Sequence, residues 1–295
     1  MTGQTTKIRI EAPAKVNLYL RVVGRRSDGY HLLDSLVVFP AIGDTVEVEP
    51  ADALALEVVG PFAAAVPPGD DNLVLRAARL LAERAECQPL AKVRLVKRLP
   101  VASGIGGGSA DAAATLRALA RLWEIPAAAV DMPAVALALG ADVPMCLAGR
   151  PAFVSGIGEH LAPAPPLPSF SLLLANPGVA VATPAVFAGR RGPFSAPAAF
   201  SGSPPNARAL ASLLSERGND LAASAEALAP EIAAVRAKLA AASDALIAQM
   251  SGSGATCFAV FASQGQAEAA WASLAALHPD WWLAAAPVAG SPRNG

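Results

Sequence analysis

The chain has 295 residues, a hydrophobic fraction of 54% and a formal net charge of −1. That length holds one large domain or two modest ones, and the apolar content is ample for a core, which excludes a disordered or fibrous chain. A near-neutral balance without a Lys/Arg run lacks the electrostatic footprint of a nucleic-acid binder; the short pairs Arg25-Arg26 and Lys97-Arg98 are explained at least as well by solvated faces as by ligand contacts.

The opening segment Met1–Ile10 is polar and has no apolar h-region, so it does not read as a signal peptide. Val16, Leu18, Leu20 and Val22 alternate with Asn17, Tyr19 and Arg21, which predicts a half-buried strand. After the loop Gly24–His31, strands are predicted over Leu36–Phe39 and Thr45–Val48. Asp70-Asp71-Asn72 is a helix cap, and the helix runs on through Leu73, Ala77, Leu80 and Leu81. A strand around Val93 and Leu95 ends at Pro100. Helices follow over Ala110–Trp123, stopping before Pro126, and over Pro133–Leu139, ending at Gly140. Proline-rich Ala162–Ser169 and the stretch Gly189–Pro205 read as linkers. Beyond them come strand Ser171–Ala175, helices Ala207–Leu214 and Glu231–Ala241, a glycine turn Ser251–Gly254, strand Thr256–Phe261, helix Gln266–Leu277 and a strand near Trp282–Ala286. The tail Gly290–Gly295 is expected to fray. Strands and helices are mixed without strict alternation, which favours an α+β fold. Three cysteines, Cys87, Cys146 and Cys257, match no zinc or redox spacing and suit a reduced, cytoplasmic protein. No apolar stretch is long enough to span a membrane without a charge or proline.

The most informative segment is Pro100–Asp111, between a strand and a helix. Its run Gly104-Ile105-Gly106-Gly107-Gly108 has four glycines in five positions. Glycine permits positive φ and keeps side chains away, so phosphate oxygens can approach backbone amides. The following helix leaves its first amides unpaired and points its positive end at the loop. Together these make an anion site, to which Ser103 and Ser109 add hydroxyls. A plain flexible turn is the competing reading. The run is not a Walker loop, because no Lys follows its last glycine. Nor is it a dinucleotide fingerprint, because Ser109 stands where the third glycine belongs.

Pro100–Ser109 resembles the P-x-x-x-G-[LI]-G-[SG]-[SG] loop of the galactokinase, homoserine kinase, mevalonate kinase and phosphomevalonate kinase (GHMP) superfamily. Ala12–Leu18, Arg25–Leu32 with its D-G-Y-H core, and Leu139–Pro144 with its G-A-D-V-P core resemble one branch of it. Gly218–Leu221 and Met250–Ala255 fit that branch as well. The resemblance implies a two-domain α+β GHMP-kinase-like fold with the active site in the interdomain cleft. The ATP-binding domain is expected over residues 1–160 and a substrate-side α+β domain over 161–295. It implies ATP-dependent phosphorylation of the 2-hydroxyl of a cytidine-diphosphate methylerythritol, a step of the non-mevalonate route to isoprenoid precursors. Mg²⁺ would arrive with ATP, held by phosphates and waters; no dedicated protein metal site and no nucleic-acid or membrane partner is expected.

The same resemblance assigns roles. Pro100, Val101, Ala102, Ser103, Gly104, Ile105, Gly106, Gly107, Gly108, Ser109 and Ala110 hold the nucleotide. Asp142 is the general base and Lys15 its cationic partner, which also offsets charge on the transferred phosphoryl. On the residues alone, Asp142 reads more readily as a helix-terminating turn residue and Lys15 as an exposed strand-end lysine. Asn17 shares a strand face with Lys15 and orients the acceptor. Tyr30, His31 and Phe187 suit a cytosine, which needs stacking and edge contacts. Gly252, Ser253 and Gly254 form a second glycine turn near the reacting groups. Asp111 is expected to complement the helix dipole. The chain departs from many relatives at Ala110, where they carry Ser, and at Val38, where they carry Gln.

Overall fold

The computed structural model describes residues 7–67, 69 and 71–288. Asp70 of the expected cap, the start of the polar segment Met1–Ile10 and the tail Gly290–Gly295 lie outside the described residues. In chain order the elements are β1 (Ile8–Pro13), β2 (Val16–Arg25), β3 (His31–Val38), β4 (Gly43–Glu49), β5 (Ala55–Val59), α1 (Leu73–Arg84), β6 (Lys92–Val96), α2 (Gly107–Leu122), α3 (Met132–Leu139), α4 (Val143–Ala148), β7 (Ala152–Gly156), β8 (His160–Pro163), β9 (Phe170–Asn176), α5 (Thr183–Gly189), α6 (Ala207–Ser215), α7 (Ala222–Leu228), α8 (Glu231–Ala240), β10 (Ile247–Met250), β11 (Cys257–Phe261), α9 (Gln264–Leu277) and β12 (Trp282–Val288).

The chain packs as two compact units, each built from separated stretches. The first takes the residues up to Ala14, Gly43–Val101 and Gly106–Gly149. Its sheet has the order β1-β4-β6-β5, antiparallel except for the parallel pair β5 and β6. Asn72 accepts from the Val74 amide (2.9 Å) and caps α1, whose Val74, Ala77, Ala78 and Leu81 recur at helical spacing on the buried face. Alanine-rich α2 lies against β1, β4 and α1; its small side chains let the backbones approach.

The second unit takes Lys15–Ile42, Ala102–Ile105 and the chain from Arg150 onward. It holds two antiparallel sheets, β2-β3-β7-β8 and β10-β11-β9-β12. Val22, Leu173, Val186, Ile232, Val235 and Phe261 form part of its apolar core. By packing, the two units are interleaved along the chain. No helix among the described residues is long and apolar enough to cross a membrane.

Several local expectations change. β2 is covered on both faces, not one: Asn17 and Tyr19 are buried, the Tyr19 hydroxyl donates to Asp34 (2.9 Å), and Arg217 lies 5.9 Å from the Tyr19 ring centroid. The stretch Gly189–Pro205 is not a slack linker. The Ser195 amide bonds the Val22 carbonyl (3.0 Å), and the Ala198 amide donates to Asp34. Helix α2 begins at Gly107, inside the glycine run, because first-turn amides need no intrahelical partner. Prolines 144 and 184 sit in the first turns of α4 and α5, where a missing N–H costs no helix bond, so these prolines open helices that sequence reading passed over.

Candidate active site

In the second unit, Lys15 precedes β2 and its amide donates to the Ile105 carbonyl (2.9 Å). Its Nζ donates to Asn17 Oδ1 (3.1 Å), although Lys15 itself lies just outside the strand. Asn17 Nδ2 donates to Ser35 Oγ (2.7 Å), and Ser35 Oγ donates to the Tyr19 carbonyl. Lys15 is 6% and Asn17 5% exposed, so the solvated alternatives for both are excluded. A desolvated ammonium held by a fixed amide is preorganised to meet an anion.

The two glycine turns meet backbone to backbone. Ser251 Oγ accepts from the Asn17 amide (3.1 Å) and donates to the Gly104 carbonyl (3.2 Å), while the Thr256 amide donates to the Ser103 carbonyl (3.1 Å). Gly104 has φ +77°, and a Cβ there would stand 2.5 Å from the Gly254 carbonyl oxygen. Gly104→Ala therefore meets both a left-handed backbone, which costs about 1–2 kcal/mol for an L-residue, and a rigid neighbour. Its thermal midpoint should fall by several degrees; a wild-type melting curve would refute this close approach.

Farther along β2 and β3, the His31 and Phe187 rings stack at 5.0 Å between centroids and 25° between planes. The structure thus brings these two together, and leaves Tyr30 beside them 61% exposed. Partial burial, with help from the Arg25 and Arg190 charges, lowers the His31 pKa from its ordinary value, favouring a neutral ring. Thr183 and Ser253 hydroxyls share a hydrogen bond (2.8 Å), tying the start of α5 to the second glycine turn.

In the first unit, α2 is entered through Gly106 in the left-handed region, which offers no side chain to the helix amides. A Cβ on Gly108 would meet nothing within 4 Å, so this face is open to a ligand. Ser109 is half-buried in the same first turn. Asp142 is the residue from which α4 starts, and its side chain makes no cap bond to that helix. Beneath the loop, Lys97 is buried, contrary to its reading as part of a solvated face: Nζ donates to Asp44 (2.5 Å) and Asp111 (2.7 Å). Asp111 therefore serves an internal ion cluster more than the helix dipole. Its carboxyl is pushed up to about 7, by burial first and by the Asp44 charge, against the pull of Lys97.

A raised acid pKa means the folded state keeps a proton that the unfolded state releases. Stability from this group is full below the unfolded carboxylate value of about 4, falls as pH rises toward about 7, and is flat beyond. Asp111→Asn should flatten that part of the pH–stability curve, read as the wild-type-minus-variant difference in urea midpoint between these limits. A constant difference across the window would contradict the assignment.

Two family models match the chain: the GHMP kinases N terminal domain over residues 72–150 and the GHMP kinases C terminal domain over 195–280. The 4-diphosphocytidyl-2-C-methyl-D-erythritol kinase of Paramagnetospirillum magneticum is 56% identical over 96% of this chain and 99% of its own. That of Rhodospirillum rubrum is 54% identical over 95% and 92%. The chain belongs to the 4-diphosphocytidyl-2-C-methyl-D-erythritol kinase family of GHMP kinases. A crystal structure titled 4-(cytidine 5'-diphospho)-2C-methyl-D-erythritol kinase superposes with TM-score 0.76 at 37% identity, covering 96% of this chain and 100% of the other. A homoserine kinase from Cytophaga hutchinsonii shares the fold at TM-score 0.70 and 18% identity.

Within this family frame, Lys15, Asn17, the 102–105 part of the loop, the second glycine turn and the His31–Phe187 pair lie in the second unit, and Gly106–Ala110 with Asp142 in the first. Sequence reading gave no role to Ser35, Arg190 or Ser251, although Ser251 lies in the second glycine turn that it singled out. Ser35 and Ser251 act through partners distant in the chain.

Proposed function

We propose that this chain transfers the γ-phosphoryl of ATP to the 2-hydroxyl of 4-diphosphocytidyl-2-C-methyl-D-erythritol. The observation that carries this reading is the buried Lys15–Asn17 pair bonded into the glycine turns, in a chain that also stacks His31 on Phe187. Phosphoryl transfer asks the protein mainly for positioning and charge stabilisation. The open amides at the start of α2 receive phosphate oxygens, and Ser109 adds a hydroxyl there. Asp142 takes the proton of the acceptor hydroxyl, and Lys15 balances charge on the moving phosphoryl group. Among the described residues no cluster of three or more His, Cys, Asp or Glu could hold a metal. A Mg²⁺ carried in on the nucleotide would neutralise phosphate charge. The reading keeps the cytoplasmic setting expected from an odd number of cysteines.

Tyr30, His31 and Phe187 select the cytidine end: rings for stacking, a neutral imidazole for the base edge. Purified protein should phosphorylate the cytidine-diphosphate alcohol with ATP, and CDP should compete with that acceptor. No transfer, together with turnover of homoserine or mevalonate, would overturn the reading.

A further inference from the structure

Arg190 has no part in the chemistry above, yet it links the end of α5, which carries Phe187, to the loop that follows and to Asp220. It follows α5 directly, and its amide closes on the Phe187 carbonyl (3.3 Å). Its side chain is only 8% exposed. Nη1 donates to the Gly192 carbonyl (3.1 Å) and Nη2 to the Pro193 carbonyl, folding the chain back after the helix. The guanidinium lies 5.2 Å from the Phe194 ring centroid and 4.0 Å from Asp220 Oδ2. That carboxylate oxygen accepts from the Val22 amide (2.8 Å) on β2, the strand whose Arg25 pairs with His31. Helix α5 is also docked from its other side. Ser224 Oγ donates to the Val186 carbonyl (2.6 Å), and a Cβ at Gly189 would stand 2.3 Å from that hydroxyl.

We propose that Arg190 is a positioning residue for base recognition: it fixes α5 against β2 and so holds Phe187 against His31. A guanidinium suits this task, because its planar fork bonds two carbonyls while its face rests on an aromatic ring. Its charge has a second effect. His31 is faced by Arg25 from β2, by Phe187 from α5 and by Arg190, while Asp28 is engaged by Arg26 and Asp220 lies 4.0 Å from Arg190. Partial burial and the two cations favour the neutral imidazole, which offers one donor and one acceptor, the pattern a cytosine edge can read; an imidazolium offers two donors.

The inference rests on the proposed cytidine-diphosphate substrate, and its test separates the two. Arg190→Gln should raise KM for the cytidine-diphosphate alcohol by at least about tenfold, the scale of one lost charge-assisted bond, with kcat and the KM for ATP little changed. In nucleotide-free protein, the His31 ring signals, assigned by their loss in His31→Asn, should titrate at higher pH in Arg190→Gln than in wild type. Arg190→Lys keeps the charge without the fork. It should restore the His31 titration while KM stays raised, and it decides the matter if the Gln variant does not fold. Exposed Arg191, changed to Gln, is the matched control. An unchanged KM together with an unmoved His31 titration would overturn the role of Arg190. Failure of wild-type protein to bind CDP would overturn the substrate instead, and the titration would still decide Arg190.

Discussion

Asp142→Ala should lower turnover at least about a hundredfold, the usual contribution of a positioned general base, while ATP binding persists. The expectation rests on the G-A-D-V-P segment that carries Asp142 and on how firmly its backbone is held. It stands at the start of α4 without capping that helix through its side chain. Its carbonyl accepts from the Cys146 amide (3.3 Å), so its backbone is held as part of the first turn, which Pro144 restricts further. The far end of α4 is braced too: Arg117 on α2 donates through Nη2 to the Cys146 carbonyl (2.7 Å). A carboxylate on a short helix fixed at both ends is a side chain in a set place. Asp142→Asn retains shape and loses the proton acceptor, so it should fall with the alanine variant in kcat. Calorimetric titration with ATP separates lost chemistry from lost fold. Near-normal turnover in both variants, with ATP bound, would remove Asp142 from the proton-transfer step.

Much of this was legible from local pattern. The spacing of Val74, Ala77 and Leu81 announced α1, and the alternation from Val16 to Val22 announced β2. The glycine loop was legible because its chemistry is local: small residues, positive φ and a helix start are contiguous in the chain. The Lys15–Asn17 contact was legible as well from period-two spacing, although Lys15 lies just outside the strand. What was not legible depended on distant partners. Lys97 has the sequence of a surface lysine; only the folded chain brings Asp44 and Asp111 to it. Tyr19 looked solvent-facing because nothing nearby in sequence announces Asp34 or Arg217. Helices α4 and α5 went unread because they are short, and each carries a first-turn proline, which is compatible with a helix.

The Lys97 cluster carries the largest stability effect. Lys97→Met preserves length and apolar stem and removes the ammonium that two buried carboxylates share. Breaking a buried ion pair from one side costs about 3–5 kcal/mol, so the urea midpoint should fall steeply at pH 8. The two carboxylates are unequal. Asp44 Oδ1 also accepts from the Arg98 (2.5 Å) and Leu99 (2.8 Å) amides, so it keeps two hydrogen bonds without Lys97. Asp111 has one oxygen buried without a hydrogen-bond partner among the described residues and is the group driven toward its neutral form. Burial pulls down on the Lys97 pKa, yet the two carboxylates outweigh it and hold the ammonium charged. With Lys97 gone, the uncompensated charge is therefore relieved at Asp111, and Asp111→Asn should recover part of the loss. The double variant should be more stable than the sum of the single effects by more than the additivity error of about 0.5 kcal/mol. A Cβ on Gly107 would stand 3.0 Å from Lys97 Nζ, so the ammonium lies close to the start of α2, whose Asp111 it also binds. The KM for ATP should rise in Lys97→Met even at temperatures where the protein is fully folded. Strict additivity of Lys97→Met and Asp111→Asn, with an unchanged KM for ATP, would mean that the three groups neither act as one cluster nor support the loop above them.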